Sequence, residues 1–147
     1  MLPDWPDGTV ATLSTGGGDP HAIPVSTIVR AGDRALLFVL ARRRESLARL
    51  REDPRCALTI LAARVACTAI GRATVLDAEI SERVVAVRLD AEISERVVAV
   101  RLDVERVQDH SQPTFEILEG VRWRWTDEDA ERADAEMREA LRRLAAG

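Results

Sequence analysis

Residues 46–60 read SLARLREDPRCALTI and predict a short helix that is followed at once by a strand. Leu47 and Leu50 fit one face of the helix, because they are three positions apart. Pro54 ends it, since the residue before a proline is disfavoured in the helical region. The apolar run over residues 56–62 is typical of a buried strand. The sequence therefore predicts a helix that leads directly into a buried strand.

The preceding residues predict a β-meander. Residues 9–15 alternate apolar and polar side chains, as in a half-buried strand. The glycines at 16–18 predict a hairpin turn, not a nucleotide-binding loop, because a strand and not a helix follows them. Further strands are predicted over 21–29 and 34–40, and another after the helix over 66–76.

An unusual feature is a tandem repeat, in which residues 77–89 recur unchanged as 90–102. Because thirteen is odd, two copies in one continuous strand would present opposite faces. We therefore expect one copy to serve the fold and the other to be an insertion. The second copy continues into residues 103–107 and is assigned as the sheet strand, with apolar residues at alternate positions: Val98, Val100, Leu102 and Val104. The first copy fits a helix capped by Asp77, with one apolar side: Ile80, Val84 and Val87.

The C-terminal part predicts two short extended segments, over 114–118 and 121–125, and then a helix. Residues 126–129 resemble a capping box at the start of that helix. Its apolar stripe would pack on the rest of the domain or on a second subunit and consists of Ala130, Ala133, Met137, Leu141 and Leu144.

Composition excludes several classes of protein. The 147 residues suit one domain, over 1–147, and 46% of them are apolar. A net charge of −4 argues against a general nucleic-acid binder, and no apolar run is long enough for a membrane span.

The first residues lack a signal-peptide pattern, so we expect a cytoplasmic protein. All 21 basic residues are arginines, which excludes a Schiff-base lysine. Cys56 and Cys67 are expected to be reduced, partly buried thiols, and no His or Cys has metal-ligand spacing.

The sharpest candidate site is Arg42-Arg43-Arg44, at the start of the short helix. Cations oppose the dipole of a helix N-terminus, so three in succession favour either a bound phosphate or full solvation. Ser26 and Thr27 on the second strand could add hydrogen bonds, or form a plain polar strand face. Trp123 and Trp125 share one face of their segment, and either line a ring-binding cleft or belong to the core or an interface. The remaining candidate is His21, as an acid or base or as a surface residue.

Several runs in the expected order resemble a known family. They are residues 9–15, 20–26, 36–40 and 46–60, then Gly71-Arg72-Ala73 and the final run 120–125. Together they are similar to the flavin-binding split-barrel family of pyridoxamine 5'-phosphate oxidase-like proteins. The most telling piece is Asp53-Pro54-Arg55 before an apolar strand.

The resemblance implies a mainly β (α+β) fold: a six-stranded antiparallel split β-barrel with a short helix after strand 3 and a C-terminal helix. It also implies a homodimer with FMN, or a related deazaflavin coenzyme, in a cleft at the subunit interface; some members bind haem or no known cofactor. The phosphate-binding positions carried over from the family are Ser26, Thr27, Arg42, Arg43, Arg44 and Ser46. Many relatives have a basic residue where Ser46 stands, and the three preceding arginines would replace that charge.

These expectations favour a small dimeric oxidoreductase that uses a phosphorylated flavin-type coenzyme on a small-molecule substrate. The coenzyme would carry the redox chemistry, and no catalytic side chain is evident. The alternatives are a non-catalytic flavin- or haem-binding module and a structural dimer that has lost its ligand.

Overall fold

The computed structural model describes residues 1–76 and 97–147. Within these ranges the chain forms one antiparallel sheet and two helices. In chain order the elements are β1 (Ala11–Thr15), β2 (His21–Val25), β3 (Ile28–Arg30), β4 (Ala35–Ala41), α1 (Glu45–Glu52), β5 (Arg55–Ala62), β6 (Val65–Val75), β7 (Val97–Asp109) and α2 (Glu128–Ala146).

The sheet curls because its two edges are neighbours in the chain. Its strand order is β2-β1-β5-β6-β7-β4-β3, so β2 and β3 lie at opposite edges. Only Ser26 and Thr27 separate these two strands in sequence, which brings the edges together and produces a split barrel. The strand predicted over 21–29 is thus broken in two, because it pairs first with β1 and then with β4. This break raises the predicted six strands to seven.

The core lies inside the curled sheet and follows the predicted alternation. On β5 the buried positions alternate from Cys56 to Ala62. On β7 the four alternating apolar residues from Val98 to Val104 are all at most 6% exposed. Leu47 and Leu50 of α1 pack into the same core, which confirms the predicted helix face. The largest fully buried side chains are Leu13, Ile28, Leu36, Phe38, Leu58, Ile60, Val100 and Leu102.

The tandem repeat enters this sheet through its second copy. Residues 97–102 of that copy begin β7 and pair with β4, Val97 with Ala41 and Leu102 with Leu36. This confirms the assignment of the second copy to the sheet over those residues. The first copy, with its predicted helix, and residues 90–96 lie outside the described residues.

The long strands β6 and β7 meet at an irregularity. Their register shifts between Ile70 and Gly71, as at a β-bulge. A Cβ on Gly71 would lie 1.9 Å from the carbonyl oxygen of Asp103. Glycine is therefore the residue that permits this close approach, which helps the sheet to curve.

The C-terminal helix α2 packs on the outside of the sheet. Leu141 lies in a small apolar cluster with Val29, Leu37 and Ala99, on the outer side of β3, β4 and β7. Of the predicted stripe, Leu141 is buried and Leu144 is partly buried in this cluster, so the sheet of the same chain is their partner. Ala130, Ala133 and Met137 are only partly buried, and the buried side of the helix also contains Asp134 and Arg138. The N-cap is Asp127, one residue after the predicted Thr126, and its carboxylate accepts hydrogen bonds from the amides of Asp129 and Ala130.

The segment between β7 and α2 runs over the barrel surface without strand pairing, so neither predicted extended segment joins the sheet. Isolated hydrogen bonds attach it to the barrel, such as the bond from the Arg64 amide to the Ile117 carbonyl (2.9 Å). Neither α1 nor α2, the helices of the described ranges, combines the length and the apolar character needed to cross a membrane.

Candidate functional site

The turn between β4 and α1 gathers positive charge at an open helix end. Arg42–Arg44 lie in this turn and precede the helix, and all three side chains are exposed. Arg44 is the N-cap residue; its backbone is extended (φ −70°, ψ 135°), and no side chain of residues 1–76 or 97–147 caps the first amides. Positive charge at this end opposes the helix dipole and costs a few tenths of a kcal/mol or more. The exposed guanidinium groups of Arg43 and Arg44 and the first amides of the helix are donors of the kind that bind an anion.

Ser46 stands at this helix end, but its hydroxyl is committed elsewhere. The side chain is fully buried, and Oγ lies 2.8 Å from Nε2 of His21. The other ring nitrogen of His21, Nδ1, lies 3.5 Å from a carboxylate oxygen of Glu45. The order Ser-His-Glu resembles a nucleophile with its base, yet no substrate reaches an Oγ that has no exposed surface. The contact instead fastens the edge strand β2 to α1.

The opposite end of α1 is tied to the β1–β2 turn. Nη1 of Arg49 donates to the carbonyl oxygens of Gly17 (3.2 Å) and Asp19 (2.7 Å). Gly17 has a positive φ of 78°, as a tight hairpin turn requires, so the predicted turn is confirmed. Just after the helix, Arg55 donates from its side chain and its amide to the Asp53 carboxylate, which lowers the pKa of Asp53 to about 2. The Arg49 bonds attach α1 to the β1–β2 turn without using the first amides of the helix.

Ser26 and Thr27 lie at the seam between the two sheet edges, beneath α2. Thr27 Oγ1 donates to Asp134 at 2.5 Å, and the same carboxylate accepts from Arg138 at 2.5 Å. Arg138 also donates to the carbonyl oxygen of Ser26 (3.3 Å). Both members of the ion pair are 6% exposed. The sequence shows only that Asp134 and Arg138 are four residues apart, the spacing of an ordinary surface pair on a helix, so their burial was missed.

The structure therefore divides the six predicted site residues into two groups. Because β3 and β4 are antiparallel, with Ile28 opposite Phe38, both groups lie toward the same end of that strand pair. One group belongs to the entrance of α1 and the other to the seam that α2 covers. Arg42, Arg43, Arg44 and Ser46 form the first group, and Ser26 and Thr27 form the second.

The tryptophan pair is on the surface, not in the core. Trp123 and Trp125 are 38% and 37% exposed, and their rings meet edge to face with centroids 5.1 Å apart. Nε1 of Trp123 donates to the carbonyl oxygen of Gly8 at 2.7 Å, which anchors the pair to the N-terminal segment. The alternative that these residues belong to the barrel core is wrong.

The two cysteines are free and buried, as predicted. Burial raises the pKa of Cys56 to about 12, and burial together with the nearby Asp109 carboxylate raises the pKa of Cys67. Both thiols are thus held protonated and unreactive at neutral pH. Among the residues that the structure describes, no three His, Cys, Asp or Glu side chains are grouped as metal ligands.

Comparison with known proteins settles the family. The model of the pyridoxamine 5'-phosphate oxidase family matches residues 2–118. The chain belongs to this family. The match covers both site groups and all seven strands, and ends before Trp123, Trp125 and α2. No curated protein sequence matches the chain.

Solved structures of similar fold agree with this membership. A protein from Listeria innocua, provisionally assigned as a pyridoxamine 5'-phosphate oxidase, is 18% identical, covers 71% of this chain and 90% of its own, and superposes with a TM-score of 0.53. A protein from Lactobacillus delbrueckii with the same provisional assignment is 18% identical, with coverages of 68% and 84% and a TM-score of 0.57. An F420 reductase is 13% identical, with coverages of 69% and 90% and a TM-score of 0.52. At these identities the likeness establishes the split-barrel fold.

Proposed function

We propose that this chain binds a phosphorylated flavin-type coenzyme, FMN or a deazaflavin, and with it transfers a hydride to or from a small organic substrate. The observation that carries the proposal is the uncapped, arginine-rich entrance of α1 in a member of the pyridoxamine 5'-phosphate oxidase family. An F420 reductase among the proteins of similar fold supports a deazaflavin as one of the two coenzymes.

The entrance of α1 fits the phosphate end of such a coenzyme. A phosphate dianion there would accept hydrogen bonds from the first amides of the helix and from the exposed guanidinium groups of Arg43 and Arg44. Its charge would also offset the unfavourable position of these cations. Ser46 contributes its backbone amide and, through its bond to His21, holds the entrance in place. The hydroxyl of Ser46 is not a direct ligand in this arrangement.

The seam at Ser26 and Thr27 would bind the ring end of the coenzyme, and it offers fewer available groups than the entrance of α1. Ser26 is partly exposed and keeps its hydroxyl for a ligand, whereas the Thr27 hydroxyl is bound to Asp134. When bound, a flavin or deazaflavin supplies the hydride chemistry itself. The chain's part is to hold the phosphate at α1, to orient the ring along β2 and β3, and to shape the space in which a substrate meets it.

A homodimer completes this proposal. The outer face of β1, β5 and β6 carries a mixture of small, apolar and arginine side chains, and the described residues leave much of it uncovered. On this face Thr12 is exposed, Leu61 is 46% exposed, and Ala57, Thr59 and Ile70 are partly exposed. Exposed apolar side chains on an uncovered sheet face suit contact with the same face of a second copy. Light scattering on the purified protein tests this, with twice the chain mass expected.

The coenzyme site is tested by replacing Arg42, Arg43 and Arg44 together with glutamine. We expect FMN affinity, measured by fluorescence titration, to fall at least tenfold, or by about 1.4 kcal/mol. The matched control is the pair Arg132→Gln and Arg143→Gln on α2, which removes exposed guanidinium groups elsewhere. Unchanged affinity in the triple variant would refute the phosphate site.

The visible spectrum separates an enzyme from a binding module. We expect the protein to take up FMN or a deazaflavin, and the bound coenzyme to be bleached by a nicotinamide donor under anaerobic conditions. Uptake without bleaching, or a haem spectrum, would identify the non-catalytic binding module instead. No uptake of any of these groups would leave a structural dimer.

A further inference from the structure

A cleft lies between α2 and residues 121–125, largely outside the region that matches the family. Its volume is about 680 Å³, within the range of small-molecule sites. All but two of its lining residues lie between 121 and 142, and only Asp7 and Gly8 come from the family-matched part. We propose that this cleft binds a planar aromatic molecule that carries one negative charge, at a site separate from the coenzyme site.

The aromatic part of the ligand is inferred from the two tryptophans. Their ring planes are 80° apart, so the pair forms a corner with more than a third of each residue exposed. The Trp123 ring is fixed by its hydrogen bond to the Gly8 carbonyl and lies close against this glycine. A Cβ added at Gly8 would be 3.5 Å from the ring. Such a preformed corner accepts a flat ring by stacking and edge contacts, with little ordering of side chains on binding.

The charge of the ligand is inferred from which lining charges are already paired. Arg138 is paired with Asp134 at 2.5 Å, and Arg142 with Asp7. In the part of the chain that the structure describes, the other charged lining groups form no ion pair and are exposed: Arg122, Arg124 and Glu131. Two cations and one anion leave a single positive excess. A carboxylate or a singly charged phosphate ester would match it through guanidinium hydrogen bonds.

The cleft also adjoins the seam. Arg138 lines the cleft and donates to the carbonyl oxygen of Ser26, while its partner Asp134 holds Thr27. An occupant of the cleft would therefore sit beside the residues proposed to orient a coenzyme ring. The binding claim itself rests on the cleft residues alone and needs no coenzyme.

The probe is 2-naphthoate, a flat two-ring carboxylate, titrated calorimetrically into the full-length protein. We expect saturable binding of one molecule per chain. Trp125→Ala and, separately, Arg122→Gln with Arg124→Gln should each weaken it at least tenfold. Arg132→Gln, on the same helix but outside the cleft, should leave it unchanged. Glu131→Gln should strengthen it, because it removes an anion that has no ion-pair partner among the described residues. The exposed arginine pair keeps the test valid if Trp125→Ala fails to fold.

Two results would overturn the proposal. One is no binding of 2-naphthoate, or binding that neither cleft variant weakens. The other is competition between FMN and 2-naphthoate together with loss of FMN affinity in Trp125→Ala, since the cleft would then belong to the coenzyme. The triple variant of Arg42, Arg43 and Arg44 distinguishes the two proposals. It should lose FMN and keep 2-naphthoate, whereas failure of the coenzyme proposal would leave the naphthoate result intact.

Discussion

The two helices in the described part of the chain begin in opposite ways. The N-cap of α2 is Asp127, whose carboxylate accepts two amide hydrogen bonds, and three acidic residues follow in the first turn. The N-cap of α1 is Arg44, which caps nothing, and two further arginines precede it. Acidic caps stabilise a helix and basic ones do not. The start of α2 is therefore stabilised by its cap and its acidic first turn, while the start of α1 lacks this stabilisation.

The helices differ equally in how they are held. α1 is short, and it stays in place because Leu47 and Leu50 enter the barrel core and Arg49 grips the β1–β2 turn. α2 lies on the outside and depends on a few apolar contacts together with one buried ion pair, Asp134 with Arg138. The packing of α1 therefore secures a helix whose first turn has an unfavourable charge.

The largest effect is expected from breaking the buried pair under α2. Asp134→Ala leaves Arg138 buried without its partner, so we expect the free energy of unfolding to fall by about 3–5 kcal/mol in urea titrations. Glu136→Ala, an exposed neighbour on the same helix, is the control and should change it by less than about 0.5 kcal/mol. Equal effects of the two variants would show that the pair does not secure α2.

Substitutions at the two N-caps should change the stability by smaller amounts, one downward and one upward. Asp127→Ala removes a cap and should destabilise the protein by about 1 kcal/mol. Arg44→Ser adds a cap at a residue whose backbone is already extended, and removes a cation, so it should stabilise by about 0.5–1 kcal/mol. Thermal unfolding measures both. If Arg44→Ser destabilised the protein, the charge at this end of α1 would have a structural role instead.

The smallest effect concerns the residue that follows α1. Because the pKa of Asp53 in the folded state, about 2, lies below its ordinary value of 3.8, its carboxylate stabilises the fold above pH 3.8. That contribution is lost as the pH falls toward 2. A carboxyl NMR titration should place the midpoint of Asp53 near pH 2. Arg55→Gln should move it back toward 3.8, and an unchanged midpoint would mean that Arg55 is not the cause.

The local features of the fold could be predicted because they repeat at short range. The period-two pattern of β5 and β7, the stop at Pro54 and the apolar stripe of α2 all depend on residues within a few positions of one another. The break of the second strand could not be predicted. It arises because the chain at Ser26 and Thr27 changes partner from β1 to β4, and no local pattern records a partner.

The candidate site was only partly accessible to the same reasoning. The charge of Arg42, Arg43 and Arg44 and the helix that follows are visible in the sequence, and the resemblance to the family added the seam residues. The partners of these residues were not visible. Ser46 finds His21 across 25 positions, and Thr27 finds Asp134 across 107.

The amino-acid sequence alone determined the family, the position of α1 between β4 and β5, the burial of alternate side chains on β5 and β7, and the cationic entrance of α1. Tertiary structure decided which hydroxyls remain open to a ligand, which charges are neutralised, and that two tryptophans and a distant helix enclose a cleft. The physical reason is the distance along the chain over which each interaction acts. Backbone preferences and side-chain periodicity act over a few residues, whereas the accessibility and charge of a site depend on groups that meet only when the chain has folded.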